Sequence, residues 1–229
     1  MEEAEIAVIE RLPFAQSRRA LDVGANWGGY TVALARRFAR VEAIEPIPRC
    51  AAALRAYASA FARNVTVREV LSSDRIGSLD FVERQPDREA GDYSGFAHVA
   101  ASDEHATSNI RAEPIDSYDL LDVDFIKIDV EGYERAVISG SLLTLKRSYP
   151  ILLIEMEQRH IAEPLHERIA FIEALGYEAR FYRYGRFAAL SEFDLARDQN
   201  QTTIESDRQR YVNNFFFFPR TAISRYVAS

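Results

Sequence analysis

The chain has 229 residues, 48% hydrophobic and 28% charged, with 10 glycines and 8 prolines; this is the mixture of an ordinary soluble globular protein and excludes the disordered, collagenous and disulfide-stapled classes. Its 35 acidic residues outnumber 28 basic ones for a formal charge of −7, and no basic block stands out, so a nucleic-acid partner, which is bound largely through lysine and arginine, is not expected. A lone cysteine, Cys50, leaves no intramolecular disulfide or cysteine-based zinc cluster and fits a reducing, cytoplasmic setting.

In chain order, Met1-Glu2-Glu3-Ala4-Glu5 is acidic where a secretory signal is basic, and no apolar run approaches the roughly 18 residues of a membrane span, so neither is expected. Apolar spacing predicts a helix over 4–12, within an N-terminal stretch 1–18, and a short strand over 19–23 ending at Gly24. A helix over 28–38, a strand over 41–44 closed by Glu45-Pro46, and an alanine-rich helix over 48–61 with proline in its first turn follow. Strands are predicted at 65–71, 78–82, 123–129 and 151–156, and helices at 133–145, interrupted near Gly140, and at 164–175, stopped by Gly176. Aromatic-rich strands at 179–184, 187–190 and 211–218 complete the pattern. Strands alternating with helices imply one α/β domain over 1–229, with a mostly parallel sheet covered on both faces. The two polar gaps, 83–109 and 194–210, read either as lids or acceptor walls beyond the carboxyl ends of the strands or as plain surface loops.

The chemistry is concentrated in three places. Asp22-Val23-Gly24-Ala25-Asn26-Trp27-Gly28-Gly29-Tyr30-Thr31 runs from a strand through a glycine-rich turn into a helix, a turn that lets a ligand approach bare backbone. Asn26 stands where a dinucleotide fingerprint needs glycine, and the Asp22 carboxylate would repel phosphate but attract a sulfonium such as that of S-adenosylmethionine. The competing reading makes Asp22 a helix cap. Glu45, ending the next strand about 20 residues on, is placed to accept hydrogen bonds from ribose hydroxyls. Finally, Val123-Asp124-Phe125-Ile126-Lys127-Ile128-Asp129-Val130-Glu131-Gly132-Tyr133-Glu134 is an apolar strand that carries Lys127 and ends in a dense acidic turn. Charges in a core strand cost free energy unless paired or used. Asp129 is thus a candidate partner for a cofactor amino group or an acceptor hydroxyl, and Lys127 reads as the ion-pair partner of a buried carboxylate in preference to a catalytic group.

Taken with Ile44-Glu45-Pro46, Leu153-Ile154-Glu155 and Asn213-Asn214-Phe215-Phe216-Phe217-Phe218-Pro219, these stretches resemble the FkbM-type S-adenosylmethionine-dependent methyltransferases; the Lys127-to-Gly132 stretch is the specific part, the glycine loop alone indicating only a class I methyltransferase. The resemblance implies a Rossmann-like, seven-stranded sheet with helices on both faces and a reversed, antiparallel C-terminal hairpin, S-adenosylmethionine as methyl donor, and a hydroxyl on a sugar or polyketide-like small molecule as acceptor. It implies Asp22, Gly24, Ala25, Asn26, Gly28 and Tyr30 at the methionine end, Glu45 and Pro46 at the ribose, Asp129 at the cofactor–acceptor junction, and Ser73, with Ser72 and Asp74, near adenine.

Methyl transfer from a sulfonium depends chiefly on alignment, worth about 7–11 kcal/mol, with a positioned base adding about 10²–10⁴-fold. The base candidates are Asp129, Glu131, Glu155, Glu157 and His160, with Asp129 assigned to positioning and His160, nearest neutrality, to proton acceptance; a solvated surface histidine is the competing reading. Asp129, Glu155 and Glu157 are also an oxygen-ligand set that a magnesium ion could use. His98, His105, His160 and His166 show no metal-ligand spacing, and Cys50 reads as a small buried hydrophobe. The rival classes are an NAD-dependent oxidoreductase, opposed by Asn26, and a non-catalytic adenosyl-ligand binding protein, opposed by the acidic strand end.

Overall fold

The computed structural model describes residues 4–83, 97–100, 105–200, 202, 207 and 210–226. Its backbone begins with α1 (Ala4–Arg11), β1 (Arg19–Val23), α2 (Gly29–Arg37), β2 (Arg40–Ile44), α3 (Pro48–Phe61) and β3 (Val65–Arg68). There follow β4 (Leu71–Ser72), β5 (Gly77–Glu83), β6 (Ala97–Val99), β7 (Ser108–Glu113), β8 (Val123–Ile128), α4 (Glu134–Ser139) and α5 (Leu142–Ser148). The chain closes with β9 (Ile151–Glu155), α6 (Leu165–Glu173), β10 (Tyr177–Arg183), β11 (Arg186–Ala189), α7 (Leu195–Asp198) and β12 (Asn214–Pro219).

The main sheet has eight strands in the order β11-β10-β12-β9-β8-β1-β2-β3. From β9 to β3 neighbours pair in parallel, β12 runs antiparallel between β9 and β10, and β11 folds back on β10. The expected seven strands therefore fall one short. The extra edge strand exists because Tyr184 and Gly185, both at positive φ (50° and 81°), form a two-residue turn that matches the twist of a hairpin. Phe187 on β11 then packs edge-on against Phe216 and Phe218, at ring distances of 5.1 and 5.2 Å.

Side chains alternate between the two faces with the period of two that an extended chain imposes. Leu21, Val23, Ile126, Ile128, Leu152, Ile154, Phe215 and Phe217 pack with Val137, Ile138, Leu145, Leu165, Ile169 and Ile172 of α4, α5 and α6. Ala20, Val41, Ala43, Phe125, Leu153, Phe216 and Phe218 pack on the other face with α1, α2 and α3. Four successive phenylalanines are tolerated in β12 because both of its faces are covered.

A second, four-stranded sheet has the order β4-β7-β5-β6. It corrects two expectations. The single strand predicted over 65–71 breaks after Arg68, and its end, Leu71–Ser72, pairs with β7 in the small sheet. The 83–109 gap contains β6 and the start of β7; the rest of that candidate lid, 84–96 and 101–104, lies outside the described residues, as do 1–3 and, within the 194–210 gap, 201, 203–206 and 208–209. Leu71, Phe81 and Ala112 pack the small sheet onto Ile47 and Cys50 at the start of α3 and against Tyr133, so it stands as a wall beside the carboxyl ends of the main strands. Among the described residues no helix is long and apolar enough to cross a membrane.

Candidate active site

The chain turns from β1 toward β2 and β3 on one side and continues through β8 to β9 on the other, so the carboxyl ends of β1 and β8 flank the point where strand order reverses, the usual ligand crevice of an open α/β sheet. The loop after β1 is tied down on both sides. Gly24 and Ala25 donate their amides to the Ile44 carbonyl at 2.9 and 3.1 Å, and Asp129 donates its amide to the Val23 carbonyl at 2.9 Å. A Cβ on Gly24 would lie 1.8 Å from the Asp129 carbonyl oxygen. The glycine is therefore required by the neighbouring loop's backbone. Gly28 likewise seats the turn on Leu54 of α3, and Asn26 takes the left-handed conformation at φ 48°.

Glu45 lies beneath this turn, its carboxylate accepting the Asn26 amide at 2.7 Å on one oxygen and the Ile47 amide at 2.8 Å on the other. Each oxygen keeps a lone pair for a further donor. Burial pushes its pKa up to about 7. Asp22 is buried too and accepts the Thr31 hydroxyl at 2.5 Å, so it does anchor the start of α2; burial pushes it up to about 6. Ala25 and Tyr30 are buried, Pro46 is half-buried, and Asn26 and Trp27 are exposed at the rim, with the Arg49 guanidinium 5.9 Å from the Trp27 ring and 2.6 Å from Glu83 of β5.

At the end of β8 the Lys127 ammonium is fully buried, 3.7 Å from Asp129, 3.8 Å from Glu155 and 4.9 Å from the centre of the Tyr30 ring. It donates to the Asn214 side-chain oxygen at 3.2 Å, while Asn213 donates to the other oxygen of Glu155 at 2.8 Å. The ion-pair reading of Lys127 holds. It also displaces the magnesium reading: an ammonium stands between two of the three expected ligands, and the third, Glu157, is taken by Arg159 at 2.6 Å and the Tyr211 hydroxyl at 2.5 Å. Among the described residues no three metal-ligating side chains converge.

The acidic turn after Asp129 is held from below. Glu131 takes φ 47°, an uncommon conformation for a residue with a side chain, and Gly132 sits where a Cβ would meet the His160 carbonyl at 2.2 Å. Arg168 of α6, almost fully buried, donates to the Gly132 carbonyl at 2.8 Å and pairs with Glu134 and Glu163. The Glu131 carboxylate lies 3.2 Å from the His160 ring nitrogen. Burial pushes Glu131 up to about 7 and, with the nearby Arg159 charge, pushes His160 down, which keeps the imidazole neutral and able to take a proton. His160 is part-buried beside Glu131 and is not a fully solvated side chain.

Ser73 is fully buried, its hydroxyl 3.1 Å from the Tyr133 hydroxyl and 3.2 Å from Asp74, and Gly140 is needed because a Cβ there would lie 1.9 Å from the Ser73 carbonyl. The neighbouring Ser72 hydroxyl is buried with no hydrogen-bond partner among the described residues. Sequence reasoning overlooked Tyr133, Arg168, Asn213 and Asn214 as parts of the site. The two asparagines did carry a signal, polar residues abutting a run of phenylalanines, whereas nothing marked Arg168 within its helix.

The methyltransferase FkbM domain matches residues 22–179. Among solved structures the chain is similar to methyltransferase FkbM from Methylobacillus flagellatus KT, at 19% identity and a TM-score of 0.58, over 91% of this chain and 45% of that one. The chain thus spans less than half the length of that relative. It is also similar to a Streptococcus mutans protein assigned to the methyltransferases and solved in complex with SAH, at 10% identity and a TM-score of 0.51, over 93% of each chain. No curated protein matches the chain.

Proposed function

Because the chain belongs to the methyltransferase FkbM domain family, we propose that it transfers a methyl group from S-adenosylmethionine to a hydroxyl of a neutral small molecule of the sugar or polyketide type. The observation that carries this reading is the charge of the crevice: Asp22, Glu45, Asp129, Glu131 and Glu155 gather at or beside the carboxyl ends of β1, β2, β8 and β9, against the Lys127 ammonium. Such a site attracts a cationic adenosyl ligand and repels the pyrophosphate of a dinucleotide. The donor set fits the ligand as well, since Glu45 offers two acceptors to a ribose and the buried Ser72 hydroxyl is unsatisfied.

When bound, S-adenosylmethionine supplies a methyl carbon on a sulfonium, a leaving group that needs no acid. The turn after β1 would hold this ligand through backbone and through Glu45, and Asp129 would face its junction with the acceptor. His160, kept neutral by burial and backed by Glu131, accepts the hydroxyl proton of the acceptor as its oxygen becomes the nucleophile. Carboxylates around that position favour a polyol, whose hydroxyls donate to them, over an anionic acceptor. A reducing, cytoplasmic setting belongs to the same reading, and Cys50 is a buried free thiol.

The test is calorimetric titration with S-adenosylmethionine, S-adenosylhomocysteine and NAD, on the native chain and on Glu45→Ala. Micromolar binding of the two adenosyl ligands, about −8 kcal/mol, lost at least tenfold in Glu45→Ala, is the expected result. Binding of NAD in their place would replace this reading with an oxidoreductase.

A further inference from the structure

The position between Asp129 and Glu155 is where a hard cation would stand if the strand-end carboxylates held one. The chain fills it with its own charge. Lys127 has no exposed surface, and its ammonium lies 3.7 Å from one oxygen of Asp129 and 3.8 Å from one of Glu155, beyond hydrogen-bonding range for either. It donates to the Asn214 side-chain oxygen at 3.2 Å and the Ile128 carbonyl at 3.4 Å, and the Tyr30 ring caps it at 4.9 Å. Asp22 stands level with Lys127 in the pairing of β1 and β8, adding a third carboxylate nearby. The second oxygen of Glu155 is fixed by Asn213 at 2.8 Å. An apolar side chain would fill this strand position without the cost of burying an ammonium, so the charge itself is what the position uses.

We infer that Lys127 is the resident cation of the site, a positioning residue whose ammonium balances the charge of Asp129 and Glu155 and keeps them aimed at the strand ends in the place a divalent ion would otherwise take. Magnesium needs oxygens at about 2.0–2.1 Å around an octahedron, and the lysine stem and ammonium occupy that volume. The inference deepens the methyltransferase reading of the same site, and its test reads cation binding alone, so that either can fail without the other.

The experiment is a Mn²⁺ titration followed by electron paramagnetic resonance, with thermal melts, on the native chain, Lys127→Ser and Lys127→Ser/Glu155→Gln. Lys127→Ser should bind Mn²⁺ at least tenfold more tightly than the native chain and melt higher in its presence, and the added Glu155→Gln should abolish both effects. Native protein that binds as tightly as Lys127→Ser, through Asp129 and Glu155, would overturn the inference, and so would a folded Lys127→Ser that binds no better than the native chain. If Lys127→Ser does not fold without metal, recovery of its melt by Mn²⁺ supports the inference. In that case the charge-balanced Lys127→Met/Glu155→Gln must also fold better than Lys127→Met, and failure to do so overturns it.

Discussion

Gly24 illustrates how little room the site leaves at single positions. An added methyl would lie 1.8 Å from the Asp129 carbonyl, on a backbone at φ 78° that disfavours side chains. Gly24→Ala should therefore cost more than about 2 kcal/mol, read as a lower urea midpoint; an unchanged midpoint would mean the two loops are not in contact. Glu45 makes a separate prediction. Burial raises its pKa from 4.5 to about 7, so the folded chain keeps a proton that the unfolded chain releases, and stability drains away as pH rises through that window. Relative to the native chain, Glu45→Gln should gain up to about 3 kcal/mol between pH 4 and 8, less whatever its lost acceptor costs at the Asn26 or Ile47 amide. Parallel curves for the two proteins would contradict this. At Asp129, half-exposed and with its side chain outside the hydrophobic clusters, replacement by alanine should reduce methyl transfer at least tenfold while moving the melting temperature little.

Among elements, the turn between β8 and α4 depends on α6. Arg168→Met should cost about 3–5 kcal/mol in chemical denaturation because it leaves the Glu134 carboxylate buried and unpaired, and adding Glu134→Leu should recover most of that loss. Helices and strands with a clear period were legible in the sequence: Pro48 marks the start of α3, Gly140 the break between α4 and α5, and the alternation of Leu21 with Ala20, or of Ile126 with Phe125, the two faces of the sheet. Of the small sheet only β5 was legible, as the strand over 78–82. β7, Ser-Asn-Ile-Arg-Ala-Glu, buries only Ala112, and β6 is three residues long, so neither displays enough apolar pattern to be told from a polar loop. For the candidate site, the placement of Asp22, Glu45 and Asp129 at strand ends was legible, as was that of His160 shortly after β9. Their partners were not, because Asn214 reaches Lys127 across 87 positions and Arg168 reaches Glu134 across 34, separations that only the tertiary fold closes.

For the molecule as a whole, β12 joins the two halves of the main sheet and brings Asn213 and Asn214 to the crevice, so core and site stand or fall together. Phe217→Ala should cost about 3–5 kcal/mol by opening a cavity at a fully buried position, and adenosyl-ligand binding should disappear at the same denaturant concentration as the sheet's circular dichroism. Loss of binding well before the sheet melts would show that the site is held independently. The same topology bears on how the protein is made. β9 ends at Glu155, yet its neighbour on that side is β12, Asn214–Pro219, while β10 and β11 are laid down in between. At about 5–20 residues per second, a ribosome needs roughly 3–13 s to pass from one to the other. During that interval two apolar strand edges wait for a partner that is not yet synthesised, which makes the nascent chain a candidate client for holdase chaperones at this one stage of its elongation.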